Sequence, residues 1–386
     1  MPRIVIAPDK FRGTLEAADV ASALATGLLA ARPGLDVRCC PVADGGEGTL
    51  AAALANGWEP VTVPVTGPLG QPRTAAFGIG SVDGARAALV ELADASGLAL
   101  IPSGPDGRPL ADGLLATSRG TGELIRAALD AGCATVVLGI GGSACTDGGA
   151  GLLTALGARF LDAAGAPVPP GGGGLAALAR IDLDGLDPRI ARTRFVVACD
   201  VDNPLTGPRG AAAVFGPQKG AGPDQVATLD ANLGRLVEVL AVALGPAARA
   251  GAVRPGAGAA GGVGYAAMTV LGAEPRPGVE VVLELVDLDA QLAGADLLIT
   301  GEGSLDEQSL GGKTPVGVSR LAAAHGVPSI AVSGRCTLSV EQLRGAGFVA
   351  GFALADRDPM RCFTDTAAML TELGRELGAG LGGLVR

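Results

Sequence analysis

The chain is poor in lysine and nearly lacks histidine: Lys10, Lys219, Lys313 and His325 are its only residues of these two kinds in 386. With one histidine, a Ser-His-Asp triad, an HExxH zinc site or a histidine proton relay could be built only around position 325. His325 lies in LAAAHGVPSIAV, where a helix is expected to end before a strand, so capping that helix end is its expected task. General-base chemistry then falls mainly to Asp or Glu. Arginine fills the other basic positions. A lysine kept among them marks a place that needs a compact ammonium on a flexible stem, as at a phosphate, and all three lie in or beside glycine-rich, carboxylate-bearing stretches.

Other absences narrow the function further. Seven cysteines, odd in number and without a CxxC pair, give no zinc site and fit reduced, mostly buried thiols. No block of Lys and Arg offsets the formal net charge of -10, which argues against nucleic acid or an anionic membrane surface as a partner. Substrate anions must then be met by local donors. The start, MPRIVIAPDK, has a four-residue apolar run followed by charge rather than a signal peptide, so a cytoplasmic location is expected. Residues 255–273 are uncharged over a spanning length, but their glycines suit a tight loop and a buried helix rather than a lipid-facing span. What is present is ample core material, 48% hydrophobic against 18% charged, in a length that suits roughly two or three domains.

Strand-like runs at residues 4–7, 37–41, 136–140, 195–199, 297–299 and 330–332 each end in a polar or glycine-rich turn. Thr14 is the expected N-cap of a helix reaching about Ala31, with Val20, Leu24 and Leu28 on one stripe and Pro33 and Gly34 as the stop. Strands alternating with helices predict a mostly parallel α/β sheet whose ligands gather beyond the strands' C-terminal ends. Residues 62–92 read instead as short strands joined by turns, an added mixed or antiparallel sheet, so one domain is interrupted by a second. Segments 167–174 and 247–264 are expected to be ordered or gating loops.

The turns carry the chemistry. In ADGGEGT, Gly45 and Gly46 let backbone N–H groups approach an anion while Asp44 and Glu47 can hold Mg²⁺; the alternative is a merely polar turn. GIGGSACTDGG offers Gly141, Gly142, Ser143 and Thr146, with Asp147 at a helix start, where a plain N-cap is its competing role. GPQKGA sets Lys219 between glycines, either for a ligand or as a solvated turn residue. CDVDNP brings Asp200, Asp202 and Asn203 to a strand end, a grouping suited to metal coordination or proton abstraction. TGEGSLDEQSLGGKTP combines Gly301, Glu302, Asp306 and Lys313; its GGKT resembles the end of a Walker A motif, but the required earlier glycine falls at Glu307, which leaves a phosphate loop of another design. GAGAAG (256–261) fits GxGxxG yet follows VRP rather than a hydrophobic strand, against a dinucleotide site. In TSRGTGELI, Arg119 could clamp a carboxylate or form a surface ion pair.

Taken in order, APDKFRGTL, PVADGGEGT, VTGPLG, TSRGTGELI, GIGGSACTDGGAG, ACDVDNPL, FGPQKGA, GAGAAGG and LLITGEGSLDEQS resemble the bacterial glycerate kinase family of the glycerate 2-kinase type, from residue 3 to beyond Gly334. The resemblance implies ATP- and Mg²⁺-dependent phosphorylation of D-glycerate, usually to 2-phosphoglycerate. A 3-phosphoglycerate product, a non-catalytic phosphometabolite-binding module and, behind these, a nicotinamide-dependent oxidoreductase are the alternatives. It further implies a Rossmann-like, mostly parallel α/β domain (1–63 and 285–386), a second, mixed-sheet α/β domain inserted at 64–284, and a site in the cleft between them. Lys219 and Lys313 would contact phosphates, and Glu47 with Asp44 or Asp200 would organise Mg²⁺. Asp200 or Asp147 would accept the glycerate hydroxyl proton, and Arg119 or Arg12 would bind its carboxylate. Asp9, Gly45, Gly46, Gly141, Gly142, Ser143, Asn203, Gly301, Glu302 and Asp306 complete the expected binding set. The family commonly opens APDSFKGSL, whereas here Lys10 stands where Ser is frequent and Arg12 where Lys is usual, leaving open which cation meets the ligand. Glycerate and ATP are the expected partners, with no nucleic acid or membrane, and a homodimer stays open.

Overall fold

Side-chain alternation dictates the first sheet. In β1 (Arg3–Pro8), Ile4 and Ile6 point to one face and Val5 and Ala7 to the other, and all four are fully buried, so both faces must be covered. The computed structural model describes residues 1–105, 107–311 and 313–380, which leaves Gly312 of the Lys313 motif outside. After β2 (Asp36–Cys39) the chain builds a second sheet from β3 (Glu59–Thr66), β4 (Pro72–Val82), β5 (Ala85–Glu91) and β6 (Thr135–Gly139). The short pair β7 (Arg159–Leu161) and β8 (Arg180–Asp182) precedes β9 (Arg194–Ala198) and β10 (Glu274–Arg276), and the chain then returns with β11 (Leu297–Leu305), β12 (Ser329–Cys336) and β13 (Phe348–Ala353).

The first sheet has the order β13-β12-β11-β1-β2, parallel throughout. Numbered among its own strands this is 2-1-3-4-5, the flavodoxin-like variant of the doubly wound α/β fold, whose topological switch point lies between β1 and β11. Helices Ala17–Ala31 and Thr366–Gly380 cover the Ile4 and Ile6 face through Val20, Leu24, Leu370 and Leu373. They approach closely at Gly27, where a Cβ would fall 2.1 Å from the Thr371 carbonyl oxygen. Val279, Val282, Val318 and Ala322 cover the other face. The first helix begins later than Thr14 suggested. Glu16 is its N-cap, and the Thr14 hydroxyl donates to the Phe11 carbonyl (2.9 Å), closing the turn after β1 instead.

The second sheet runs β10-β9-β6-β5-β4-β3, parallel from β10 to β5 and antiparallel from β5 to β3, so the strands expected at 62–92 are present as β3, β4 and β5. Val136, Leu138, Phe195 and Val197 share its core with Leu124, Ile125, Leu152, Leu229 and Leu233. Segment 247–264 is no gate: it is mostly helix and 3₁₀ turn, with Ala257, Ala259, Ala260 and Val263 buried in that core.

By packing, the chain forms two compact units. One comprises Met1–Asp44, Ala51–Trp58 and the chain from Val279 onward; the other comprises Gly45–Leu50 and Glu59–Gly278. The turn 45–50 goes with the second because backbones touch there: a Cβ on Gly45 would lie 2.5 Å from Gly278 Cα, and one on Gly141 would lie 2.7 Å from Gly46 Cα. Among the described residues no helix is long and apolar enough to cross a membrane. All seven cysteines are free thiols, four of them buried.

Candidate active site

In the parallel-sheet unit, the switch point carries an acidic cluster. β1 ends at Pro8 opposite Gly301 of β11, and the Asp9 N–H donates to the Gly301 carbonyl (2.8 Å), which leaves the Asp9 side chain at the sheet's C-terminal edge. Gly301 is required there, since a Cβ would run into the Val332 carbonyl of β12. The Asp9 carboxylate accepts from the Lys10 backbone N–H (2.6 Å) and the Thr314 hydroxyl (3.0 Å). These two donors do not compensate for burial and for the negative charge of Asp44. With Glu302 adding repulsion, the Asp9 carboxyl is pushed up from 3.8 to about 7. Burial likewise raises Glu302, against the Ser309 hydroxyl that donates to it (2.6 Å) and the nearby Lys313 ammonium. Lys313 is exposed and is the N-cap residue of helix Thr314–Ala324. Asp306 is spent locally, accepting the Gln308 N–H (2.9 Å) to shape its turn. Arg12 is exposed and Lys10 half-buried.

The mixed-sheet unit carries a different apparatus, in which glycine-rich loops are held by buried polar side chains. Gly45 and Gly48 adopt φ of 88° and 99°, conformations that glycine takes without strain, and lift Glu47 to the exposed tip of the turn. Lys219, only 3% exposed, donates to Ser143 Oγ (2.7 Å) and to the Cys145 carbonyl (2.6 Å), so its ammonium pins the Gly141–Thr146 loop from within. Burial pulls the Lys219 ammonium below the ordinary lysine value, opposed by Cys145 and Asp147. This is not the solvent-facing lysine that a direct phosphate contact requires. The GAGAAG segment backs the same loop: Gly148 N–H donates to the Gly261 carbonyl (2.9 Å), and a Cβ on Gly261 would lie 2.1 Å from the Cys145 carbonyl oxygen. Its glycines serve backbone packing, not a dinucleotide.

Asp147 is fully buried and saturated. It accepts from Ser118 N–H (2.8 Å) and Oγ (2.9 Å), Gly149 N–H (3.1 Å), Gly151 N–H (3.2 Å) and, more weakly, Thr117 Oγ1 (3.4 Å). A carboxylate so supplied ties two helix N-termini together, and its oxygens are already engaged by those donors. The CDVDNP grouping also disperses. Asp200 is exposed at the end of β9 and accepts the Gly278 N–H (2.8 Å); Asp202 pairs with Arg209 (3.1 Å); Asn203 donates to the Arg209 carbonyl (2.7 Å). Arg119 forms the i,i+4 ion pair with Glu123 (3.0 Å) at the edge of a largely apolar pocket of about 360 Å³ that also holds Arg159 and Phe160. Of the segments singled out above, 167–174 lines that pocket through Pro167, Pro169, Pro170 and Gly171, and helix Ala150–Ala155 lines it through Ala150, Gly151 and Thr154. His325 closes helix Thr314–Ala324 and pairs with Asp289 (2.8 Å), in keeping with a capping role.

One residue that sequence reasoning passed over stands out. Glu91, the last residue of β5 and 6% exposed, accepts the Gly48 N–H through Oε1 (3.1 Å) and the Leu50 N–H through Oε2 (2.9 Å). The signal was available in RAALVELA: a charge closing an apolar strand at the edge where ligands gather.

One unit has a doubly wound sheet with carboxylates at its switch point and the other has glycine loops pinned by buried side chains, two features that suit an α/β enzyme of phosphoryl transfer. The sequence profile described as the glycerate kinase family matches residues 4–381, and the chain belongs to that family. It is 44% identical to the glycerate kinase of Bacillus subtilis (strain 168), over 98% of this chain and 97% of that one. It is also 44% identical to the glycerate 2-kinase of Escherichia coli (strain K12), over 91% of this chain and 90% of that one. A crystal structure assigned as glycerate kinase 2 from Salmonella typhimurium LT2 superposes with a TM-score of 0.85 at 42% identity, covering 99% of this chain and 98% of the other.

Proposed function

We propose that the protein transfers the γ-phosphoryl group of ATP to D-glycerate and releases 2-phosphoglycerate. The observation that carries this reading is the 44% identity, over nine-tenths of each chain, to a protein named glycerate 2-kinase. Phosphoryl transfer is mainly positioning and charge neutralisation with a base for the hydroxyl proton, and the two units divide that work in our reading.

The parallel-sheet unit would hold the metal and the phosphates. Among the described residues no group of three or more His, Cys, Asp or Glu forms a ready metal cage. Mg²⁺ is bound through one or two carboxylates together with waters and substrate phosphates, so two aspartates can serve it. A bound cation would offset the burial and the repulsion from Asp44 that together lift Asp9 to about 7, so Asp9 and Asp44 are its favoured holders. Bound there, Mg²⁺ would neutralise phosphate charge. Lys313, exposed beside Glu302, remains the favoured phosphate contact, with Arg12 or Lys10 as a second cation.

The mixed-sheet unit would hold the acceptor. Gly141, Gly142 and Ser143 supply the loop that Lys219 stiffens, and Asp200, oriented by the Gly278 N–H, is the favoured proton acceptor. Asp147 drops from that role because its donors already occupy it. Glu47 stays a candidate for the metal or its waters at the tip of its turn.

Incubation with D-glycerate, ATP and Mg²⁺, with the products resolved, tests the reading: ADP and 2-phosphoglycerate are expected in equal amounts. A 3-phosphoglycerate product would correct the position of transfer, and no glycerate-dependent ADP would reject the activity.

A further inference from the structure

We propose that Glu91 is a positioning residue for the metal requirement of the reaction, acting through the turn that carries Glu47; this rests on the kinase reading above. The two Glu91 carboxylate oxygens take the N–H groups of Gly48 and Leu50, on either side of the start of helix Thr49–Ala55. These are amides that the helix itself leaves without a partner. The same turn is closed by the Thr49 hydroxyl, which donates to the Gly46 carbonyl (2.7 Å), and is wedged against Gly139, whose Cβ would lie 2.9 Å from the Gly45 carbonyl oxygen. These ties hold the backbone of the turn, and Glu47 is exposed at its tip. A bidentate carboxylate that is itself 6% exposed and sits on a rigid strand end fixes the angle at which that side chain is presented. A seven-residue helix has no need of a buried charge for its own stability when a neutral cap would serve. A negative group behind the turn also favours a cation in front of it.

The test is Glu91→Gln in the full-length chain, which keeps the shape but turns an amide NH₂ toward one of the two donors. Amide hydrogen exchange of the ligand-free protein reads the anchor whatever the enzyme does: Gly48 and Leu50 are expected to lose protection. In turnover, the Mg²⁺ concentration for half-maximal rate should rise about ten- to a hundredfold, the range for outer-shell partners of metal ligands, while the glycerate KM moves less than about threefold. Mn²⁺ binding in the presence of a non-hydrolysable ATP analogue, followed by electron paramagnetic resonance, should weaken in parallel. In a Glu47→Gln background the same substitution should add little, because it acts through that residue. A merely structural Glu91 would lower the melting temperature and leave the Mg²⁺ dependence unchanged, which overturns the proposal, as does full additivity with Glu47→Gln. Wild-type protein that shows no glycerate-dependent ATP turnover would instead reject the kinase reading and leave the exchange result standing. Should Glu91→Gln fail to fold, Glu91→Asp, one methylene too short to span both amides, is expected to move both readouts in the same direction.

Discussion

Asp9 and Asp147 are both aspartates in the segment that follows a strand paired in parallel on both sides, β1 for one and β6 for the other, and the molecule treats them in opposite ways. Asp147 lies fully buried among five donors, whereas Asp9, half-buried, has two donors and the charges of Asp44 and Glu302 nearby. A carboxylate supplied with donors is held charged within the fold; one that is buried with few donors and crowded by like charge is disfavoured in its charged form. The same contrast divides the lysines, with Lys219 consumed inside a loop and Lys313 exposed beside Glu302.

The comparison breaks most visibly at Asp147. Asp147→Ala strands several buried N–H groups and should destabilise the protein by about 3–5 kcal/mol in chemical denaturation. A loss below about 1 kcal/mol would mean that the donor network is dispensable. Asp200→Asn comes next: if Asp200 receives the hydroxyl proton, kcat should fall on the order of 10²-fold with the melting temperature little changed. Near-normal turnover would remove it as the base. Lys219→Arg should cost about tenfold or more in kcat, because a planar guanidinium does not fit a 3% exposed position built for a compact ammonium. Full activity in that variant would show that charge alone holds the loop.

Much of this was legible in the sequence. The apolar runs before PDKFRGT and ADGGEGT were strands that stop near those turns, because alternation and glycine-rich turns are local signals, whereas the run at 297–299 continues through TGEGSL to Leu305 as β11, because it pairs with β12 on to Leu305. The antiparallel edge at 59–91 was legible for the same reason. What was hidden depends on partners distant in the chain. Lys219 looked like a ligand-seeking lysine between glycines, and only the fold brings Ser143 and Cys145 to it. Thr14 looked like a helix cap until the turn after β1 claimed its hydroxyl. Glu91 was passed over, since its partners lie some forty positions away in an unrelated turn. Gly256–Gly261 matched a ligand motif by composition, while its role is to let one backbone lie against another.

Asp9 gives the most direct test of the account, because its protonation couples stability to the cation it would hold. With a folded value near 7 above the unfolded 3.8, protonated Asp9 stabilises the ligand-free fold fully below about pH 4, and that contribution is lost as the pH rises through about 7. The decisive measurement is the melting temperature of wild-type and Asp9→Asn protein from pH 4 to 8, with and without Mg²⁺ and ATP. At pH 8 without ligand, Asp9→Asn should melt higher than wild type; near pH 4 the two should converge; and the stabilisation that Mg²⁺ with ATP gives wild type should be largely lost in the variant. If Asp9→Asn melts lower at pH 8, or is stabilised by Mg²⁺ with ATP as much as wild type, Asp9 serves the fold as Asp147 does and the account is contradicted.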